Sequence, residues 1–226
     1  MSYSLLIERA FGDQKREAEA SPLINFVCRL DGVPIAIFGE NPMMLGGGWT
    51  ADSSRKLIRL LDLASVFKLP VVHFEDCPGF LIGKESEQQA TIRYGTTALI
   101  ALQQARVPFC TVVVRKAFGV AGAANRKPGS ESMRFAWPSG DWGSLPLEGG
   151  LEVAYKADLA ASDDPEGLKA EITERLNRLR SPHRSAEFYE IEQVIDPRDT
   201  RPMLCDWVQL ARRSLRPITP EWGYRP

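Results

Sequence analysis

The segment TVVVRKAFGVAGAA, residues 111–124, places a run of small side chains directly after a hydrophobic strand. Small residues at a strand-to-helix turn leave backbone N–H groups uncovered at the positive end of the helix dipole. A pair of such N–H groups can stabilise an oxygen that becomes negatively charged during a reaction. Close packing of the helix against the sheet explains the same composition, so the segment alone leaves both interpretations open.

The cysteines and histidines form no motif for metal binding or nucleophilic catalysis. The four cysteines are widely spaced without a C-x-x-C pair, and His73 and His183 lie far apart. Because a zinc site needs a cluster of such ligands, we expect no metal site. Cys28 and Cys110 lie in apolar runs and are expected to be buried free thiols.

The composition is that of an ordinary globular protein, with 44% hydrophobic and 25% charged residues among 226. A formal net charge of −1 gives no basis for attraction to nucleic acid or to an anionic membrane. No apolar run is long enough to span a bilayer, and the N-terminus lacks the apolar core of a signal peptide. We therefore expect a cytoplasmic protein that binds neither nucleic acid nor membrane.

The elements that must position the turn alternate along the chain. A strand, a glycine-rich turn and a helix follow one another three times, with turns near 46–49, 78–80 and 119–124. Asp31-Gly32 predicts a type I′ hairpin, and residues 84–105 predict a single helix. This alternation is typical of an α/β domain with parallel strands. We predict one domain over residues 23–226, preceded by an N-terminal arm of residues 1–22.

Five segments carry motifs that are specific in combination. In chain order they are DGVPIAIFGENPM, DSSRKLIRLLDLASVFKLPVVHFEDCPGF, IRYGTTALIALQQARVPFCTVVVRKAFGVAGA, FAWP and VIDPRDTRPML. Together they resemble the C-terminal half of the carboxyltransferase subunits of biotin-dependent acyl-CoA carboxylases, such as the propionyl-CoA carboxylase β chain. The resemblance implies a crotonase-like ββα spiral fold in a single domain.

The resemblance also implies half of a split carboxyltransferase. In that family the C-terminal half forms the pocket for biotin carried on a separate protein, and the N-terminal half forms the acyl-CoA pocket. The implied partners are a second carboxyltransferase half-subunit, a biotin carboxyl carrier protein and a biotin carboxylase, in a hetero-oligomer. The implied cofactor is biotin, and the implied substrate is a CoA thioester.

By this resemblance, CO2 passes from carboxybiotin to the α-carbon of an acyl-CoA, and backbone N–H groups stabilise the developing oxyanions. The family motif R-K-A-x-G-G-A-Y places the catalytic N–H groups at Val120 and Ala121, with Gly119 as the first glycine of the turn. Val120 stands where the family commonly has glycine, so its side chain is expected to narrow the approach of the biotin ring.

The residues that resemble the family's biotin pocket are Asp76, Pro78, Gly79 and Phe80, together with Gly122 beside the turn. Pro78 and Gly79 set a turn, and Phe80 is expected to pack on the ligand. A plain tight turn explains the same motif. Gly122 and Ala123 replace an aromatic residue and an acid of the family, which leaves the acyl substrate open.

Two other functions are compatible with the sequence. The altered turn could serve a biotin-independent decarboxylase or C–C hydrolase that acts on an acyl-CoA or β-keto substrate on the same scaffold. The chain could also be a non-catalytic subunit that completes its partner's pocket. A neighbouring gene for a biotin carboxylase would favour carboxyl transfer, whereas an isolated pair of half-subunit genes would favour the biotin-independent enzyme.

Overall fold

The computed structural model describes residues 21–124, 132–144 and 147–215. Most of the predicted N-terminal arm, residues 1–20, lies outside the described residues. The first strand begins at Leu23, directly after the predicted boundary. The arm and the boundary stay predictions.

A seven-stranded mixed sheet forms the centre of the described fold. Its strands are β1 Leu23–Leu30, β2 Val33–Glu40, β3 Val71–Cys77, β4 Phe109–Phe118, β5 Ser132–Ala136, β6 Asp141–Gly143 and β7 Gln193–Val194. The order across the sheet is β1-β2-β3-β4-β5-β7, and β6 also pairs with β4. β1 runs antiparallel to β2, and the pairings from β2 onwards are parallel. This arrangement confirms the predicted α/β fold.

β1 and β2 form the hairpin that Asp31-Gly32 predicts. Both turn residues have positive φ, 47° for Asp31 and 79° for Gly32, as a type I′ turn requires. The register pairs Leu30 with Val33 and Leu23 with Glu40. Glu40, the last residue of β2, therefore lies beside the start of the edge strand.

The helices connect the strands and cover the sheet. They are α1 Ala51–Phe67, α2 Lys84–Gln88, α3 Thr91–Gln104, α4 Gly119–Ala124, α5 Leu147–Ala154, α6 Lys156–Ala161, α7 Pro165–Leu179, α8 Pro182–Glu187 and α9 Thr200–Ser214. A capping box begins α1: Thr50 Oγ1 accepts the Ser53 N–H, and Ser53 Oγ accepts the Thr50 N–H.

The predicted single helix over residues 84–105 is wrong. Ala90 has left-handed angles, φ 58° and ψ 42°, and it separates α2 from α3. α3 buries a row of residues that includes Thr91, Gly95 and Leu102, whereas α2 buries none of its own. Burial against the core therefore fixes the direction of α3. The axis of α2 is free of this constraint, and α2 lies on the surface.

Two apolar layers pack on opposite sides of the sheet. On one side α1 and α3 bury residues such as Leu57, Leu61 and Leu102 against strand residues that include Phe38 and Phe109. On the other side α9 buries Trp207 and Val208 against strand residues that include Ile35, Val72 and Val112. Since both faces are covered, the central strands read as nearly continuous apolar runs.

β4 changes its neighbour part of the way along its length. Residues 109–113 pair with β5, and residues 116–118 pair with β6. At the change, the register with β3 shifts: Glu75 faces Val113, and Cys77 faces Ala117. Asp76 of β3 therefore lies opposite a bulge of three β4 residues. The bulge bends β4, and backbone groups within it lose their regular hydrogen bonds to β3.

A buried acid ties the end of β2 to the next strand and to the start of α1. Glu40 is fully buried, and its carboxylate accepts the Trp49 Nε1–H at 3.0 Å and the Asp76 N–H at 3.0 Å. His73 Nε2 lies 3.1 and 3.2 Å from the two carboxylate oxygens, and its ring stacks on Phe38. Further along the same sheet, Arg134 donates to the buried Glu75 at 2.6 Å.

Glu40 makes the stability of the fold depend on pH. Burial alone would raise the pKa of Glu40, but the charge of His73 and hydrogen bonds from His73, Asp76 and Trp49 outweigh it and lower the pKa below 4.5. A group with a lowered pKa stabilises the fold above its unfolded pKa. That stabilisation is lost as the pH falls through the folded pKa.

We predict that Glu40→Gln lowers the free energy of unfolding near pH 7 by about 2 kcal/mol, since it removes hydrogen bonds to a charged group. The deficit relative to the wild type should shrink as the pH falls below about 4.5, when both proteins carry a neutral group at this position. Urea unfolding of both proteins at a series of pH values measures this difference in the free energy of unfolding. The control is Trp137→Phe, which removes the Trp137–Thr200 hydrogen bond and no titratable group. A Glu40→Gln deficit that stays constant with pH would contradict the prediction.

Candidate functional site

Three connections meet at one edge of the sheet. β2, β3 and β4 are parallel, so the loops that follow Glu40, Cys77 and Phe118 leave from the same edge. In open α/β sheets, ligands bind outside the carboxyl ends of the strands. The three turns near 46–49, 78–80 and 119–124 that the sequence singles out therefore lie at this edge, and we call it the carboxyl edge.

The first two loops are joined by backbone hydrogen bonds. Trp49 donates its N–H to the Gly79 carbonyl at 3.0 Å, and Leu81 donates its N–H to the Trp49 carbonyl at 2.9 Å. The result is a short parallel bridge between Trp49 and Phe80. The loop after β2 and the loop after β3 thus form a single layer.

Glycines allow these loops to lie on the ends of the strands. A Cβ on Gly47, whose φ is 83°, would lie 2.9 Å from the Asp76 carbonyl oxygen and 3.1 Å from Glu40 Cβ. A Cβ on Gly79, whose φ is 115°, would lie 3.7 Å from the Phe118 carbonyl oxygen. The close approach of the backbone at position 47 therefore requires glycine. Gly79 lies near Phe118, the residue that precedes the third turn.

The third turn contains the predicted catalytic residues Gly119, Val120 and Ala121. Gly119 has φ 62°, which favours glycine. Val120 is 66% exposed, whereas the side chain of Ala121 is fully buried in the layer beside α3. A Cβ on Gly122 would lie 2.5 Å from the Ala117 carbonyl carbon, so Gly122 lets α4 lie on β4. The packing interpretation thus applies at Gly122, and the oxyanion interpretation stays a prediction at Val120 and Ala121.

Asp76 has partners of its own within the protein. Its carboxylate accepts the Arg115 Nε–H at 3.2 Å and an Nη2–H at 3.0 Å, and it also accepts the Lys116 N–H at 3.2 Å. Arg115 and Lys116 belong to the bulge in β4, where regular pairing with β3 is interrupted. The Asp76 carboxylate therefore provides the acceptor for the Lys116 N–H. Direct contact between Asp76 and a cofactor stays a prediction, whereas its role in bracing β4 is observed.

Phe80 lies against the protein. A Cβ on Gly95 would lie 2.2 Å from Phe80 Cε1, so the ring rests on α3 where that helix has no side chain. The Phe80 ring also makes an edge contact with Trp49, at 5.8 Å between centroids. The glycine in α3 offers the ring a flat apolar surface, and contact of Phe80 with a ligand stays a prediction. Pro78 is half-buried and begins the same loop.

The carboxyl edge lacks an activated thiol. Burial, together with nearby Glu40 and Glu75, raises the pKa of Cys77 well above 9.0, and burial raises the pKa of Cys110 as well. Across residues 21–124, 132–144 and 147–215, no group of three or more His, Cys, Asp and Glu side chains could hold a metal ion. Within the same ranges, no helix is long and apolar enough to cross a membrane.

Sequence reasoning missed Glu40, His73 and Trp49. These residues meet through contacts between positions 9 and 33 apart in the chain. The available signal was two ionisable residues, His73 and Glu75, in the otherwise apolar start of β3. Buried ionisable residues in a central strand require partners, and that requirement points to a charge on a neighbouring strand.

Comparisons with known proteins identify the family of this chain. The carboxyl transferase domain family matches residues 14–221 of the chain. The methylmalonyl-CoA carboxyltransferase 12S subunit of Propionibacterium freudenreichii subsp. shermanii is 32% identical over 203 residues, which are 88% of this chain and 38% of the relative. The carboxyltransferase subunit of Haloferax mediterranei propionyl-CoA carboxylase is 32% identical over 76% of this chain and 34% of its own length.

Solved structures show the same fold. Transcarboxylase 12S, crystallised with methylmalonyl-coenzyme A and methylmalonic acid bound, matches with a TM-score of 0.80 at 30% identity, over 91% of this chain and 40% of that one. The β subunit of P. aeruginosa geranyl-CoA carboxylase matches with a TM-score of 0.77 at 21% identity, a likeness of fold alone. The chain thus spans between 34% and 40% of the length of these relatives. The predicted crotonase-like carboxyltransferase fold is confirmed, and the chain belongs to the carboxyl transferase domain family.

Proposed function

We propose that this chain is half of a split carboxyltransferase that moves a carboxyl group from biotin on a carrier protein to the α-carbon of a CoA thioester. Family membership supports carboxyl transfer, and the two relatives described above are named for methylmalonyl-CoA and propionyl-CoA. The observation that carries the proposal is the closeness of Gly79 to Phe118, since a Cβ added at Gly79 would lie 3.7 Å from the Phe118 carbonyl oxygen. It brings the loop after β3 against the strand end from which Gly119 and Val120 begin the turn.

The residues of the turn fit an uncharged ring such as that of biotin. Gly119, Val120, Ala121 and Gly122 carry no charge, and the neighbouring ions Asp76 and Arg115 are paired with each other. Ala121 and Gly122 are buried, whereas the side chains of Val120 and Ala123 are exposed. In this proposal the ring approaches the turn beside the exposed side chain of Val120, which narrows its approach.

When bound, biotin supplies the carboxyl group on its ureido ring and then a nitrogen base for the α-proton of the substrate. The chain's own contribution is to hold an oxygen that becomes negatively charged. Val120 and Ala121 lie in the first turn of α4, where amide N–H groups have no acceptor within the helix. Amides fixed before the charge develops stabilise it without reorganisation, and this is the role proposed for both residues.

The loop after β3 supports the turn. Pro78 and Gly79 bring this loop to Phe118, and Phe80 fastens it to α3 at Gly95. In this proposal the D-x-P-G-F motif shapes the biotin pocket through its backbone, since the Asp76 carboxylate and the Phe80 ring already have partners inside the protein.

A partner that carries the acyl-CoA half is the second part of the proposal. The chain spans little more than a third of its relatives' length, and large apolar side chains are exposed on segments at the carboxyl edge. They are between 57% and 91% exposed: Met43, Leu45, Ile82, Ile92 and Val120. Contiguous exposed apolar surface is typical of protein interfaces, and the proposal is that these side chains form such a surface.

We predict that the purified chain alone transfers carboxyl groups far more slowly than about 1 s⁻¹, a low value for an enzyme. Recovery of the native complex should yield an acyl-CoA-binding partner with a buried interface above about 2,000 Å² in total. Mass spectrometry of the recovered complex, with avidin blotting for the carrier, measures this. A lone chain with normal turnover would refute the need for a partner.

A second prediction concerns the amides of the turn. Ala121→Pro removes one N–H and should lower the rate by about 10²–10³, the usual loss for one oxyanion donor. Val120→Gly keeps both N–H groups and removes the exposed side chain, so carboxyl transfer should persist or increase. Rates of transfer from carboxybiotin in the complex measure both effects. Circular dichroism and thermal melts must first show that each variant is folded.

The same pair of variants tests the biotin-independent alternative. If Val120 shapes a pocket for decarboxylation or C–C hydrolysis, Val120→Gly should lose turnover of a malonyl-type thioester while it stays folded. A wild-type complex that decarboxylates this thioester without biotin, together with that loss in Val120→Gly, would overturn carboxyl transfer in favour of the alternative. Activity with carboxybiotin in both proteins would retain carboxyl transfer.

A further inference from the structure

We propose that Glu40 is a positioning residue for the turn at Gly119–Ala121, and that it acts through Asp76 and Arg115. Glu40 lies at the end of β2, two strands away from β4, so it is not a candidate for direct contact with the reacting atoms. Its effect on catalysis rests on the proposed function of the turn, whereas its effect on the geometry of the turn does not.

The first link is the carboxylate of Glu40. It is fully buried, and it holds the Trp49 indole N–H, the Asp76 amide N–H and the His73 ring together. A buried carboxylate is stable only while its donors stay in place. The positions of the loop after β2 and of the end of β3 are therefore set relative to the same group.

The second link is Asp76, whose two ends face different strands. Its amide donates to Glu40, while its carboxylate accepts both the Arg115 guanidinium and the Lys116 N–H. A displacement of the Asp76 backbone therefore moves the group that closes the bulge in β4. The Asp76 side chain is 6% exposed, so solvent provides little substitute for these donors.

The third link is the short stretch of β4 between the bulge and the turn. Lys116 pairs with Asp141 in β6, and Phe118 pairs with Gly143. Gly119 follows directly, and Gly122 lies on the backbone of Ala117 with no room for a side chain. The turn is thus packed on the residues whose position Asp76 fixes.

A purely structural role would give a different result from a positioning role. Glu40 could stabilise the fold without any influence on the turn. The Trp137–Thr200 hydrogen bond lies in the apolar layer on the opposite side of the sheet, and its loss is expected to leave the turn in place. Trp137→Phe is therefore the matched control, because it also removes a buried hydrogen bond from an indole N–H. Arg115→Gln is the second test variant, since its side chain is 48% exposed and the change should leave the core intact.

The first experiment needs no activity. In the full chain, amide NMR shifts are compared between the wild type, Glu40→Gln, Arg115→Gln and Trp137→Phe. Both test variants should shift the amides from Lys116 to Ala121, and Trp137→Phe should leave them in place. If Glu40→Gln shifts only residues around Trp49 and His73, the proposal is wrong. If Glu40→Gln does not fold, Trp49→Phe, which removes the indole donor to Glu40, decides through the same amides.

The second experiment measures carboxyl transfer in the complex. Glu40→Gln and Arg115→Gln should each lower kcat roughly tenfold, with KM changed less than about twofold, because the turn acts on the transition state. The double variant should lose less than the product of the two single losses, since both act through Asp76. Independent losses, or an equal loss in Trp137→Phe, would overturn the proposal. A wild-type complex without carboxyl transfer would refute the proposed function, and the amide shifts would still decide the positioning role.

Discussion

The geometry of the carboxyl edge depends on the burial of one carboxylate, that of Glu40. A carboxylate without water needs donors, and the donors here come from the first loop, from the middle of β3 and from the end of β3. The surrounding backbone is adapted to this need. Gly47 lies so close to Glu40 and to the Asp76 carbonyl that a side chain at this position would overlap them. The buried carboxylate of Glu40 thus binds both the loop after β2, through Trp49, and the start of the loop after β3, through Asp76.

β4 connects these contacts to the third loop, the turn at Gly119. A regular strand would pair with β5 along its whole length and would end in line with it. The bulge opposite Asp76 lets the last residues of β4 turn to β6, and the Asp76 side chain compensates for the lost ladder contacts. The turn at Gly119 therefore starts from a strand end whose direction is set by a side chain of β3.

Local signals in the sequence predicted the parts of the fold that local interactions determine. Asp31-Gly32 predicted the hairpin because positive φ at both residues favours that turn, and alternating strands and helices predicted the α/β fold. The motif around Asp76 and Phe80 was recognised, but its contacts were not predicted. Asp76 meets Arg115, 39 positions away, and only the fold determines that distance. The break at Ala90 was missed for a similar reason, since the docking of α3 on the core decides where α2 must end.

The contact of Phe80 with Gly95 has a consequence for the order in which the protein folds. The ring rests on a helix surface that exists only after α3 has formed and docked on the sheet. The loop after β3 is therefore completed late, although it precedes α3 in the chain. Docking of α3 therefore decides when this loop takes its final position at the carboxyl edge. Undocking of that helix would release the Phe80 ring and, with it, the loop after β3.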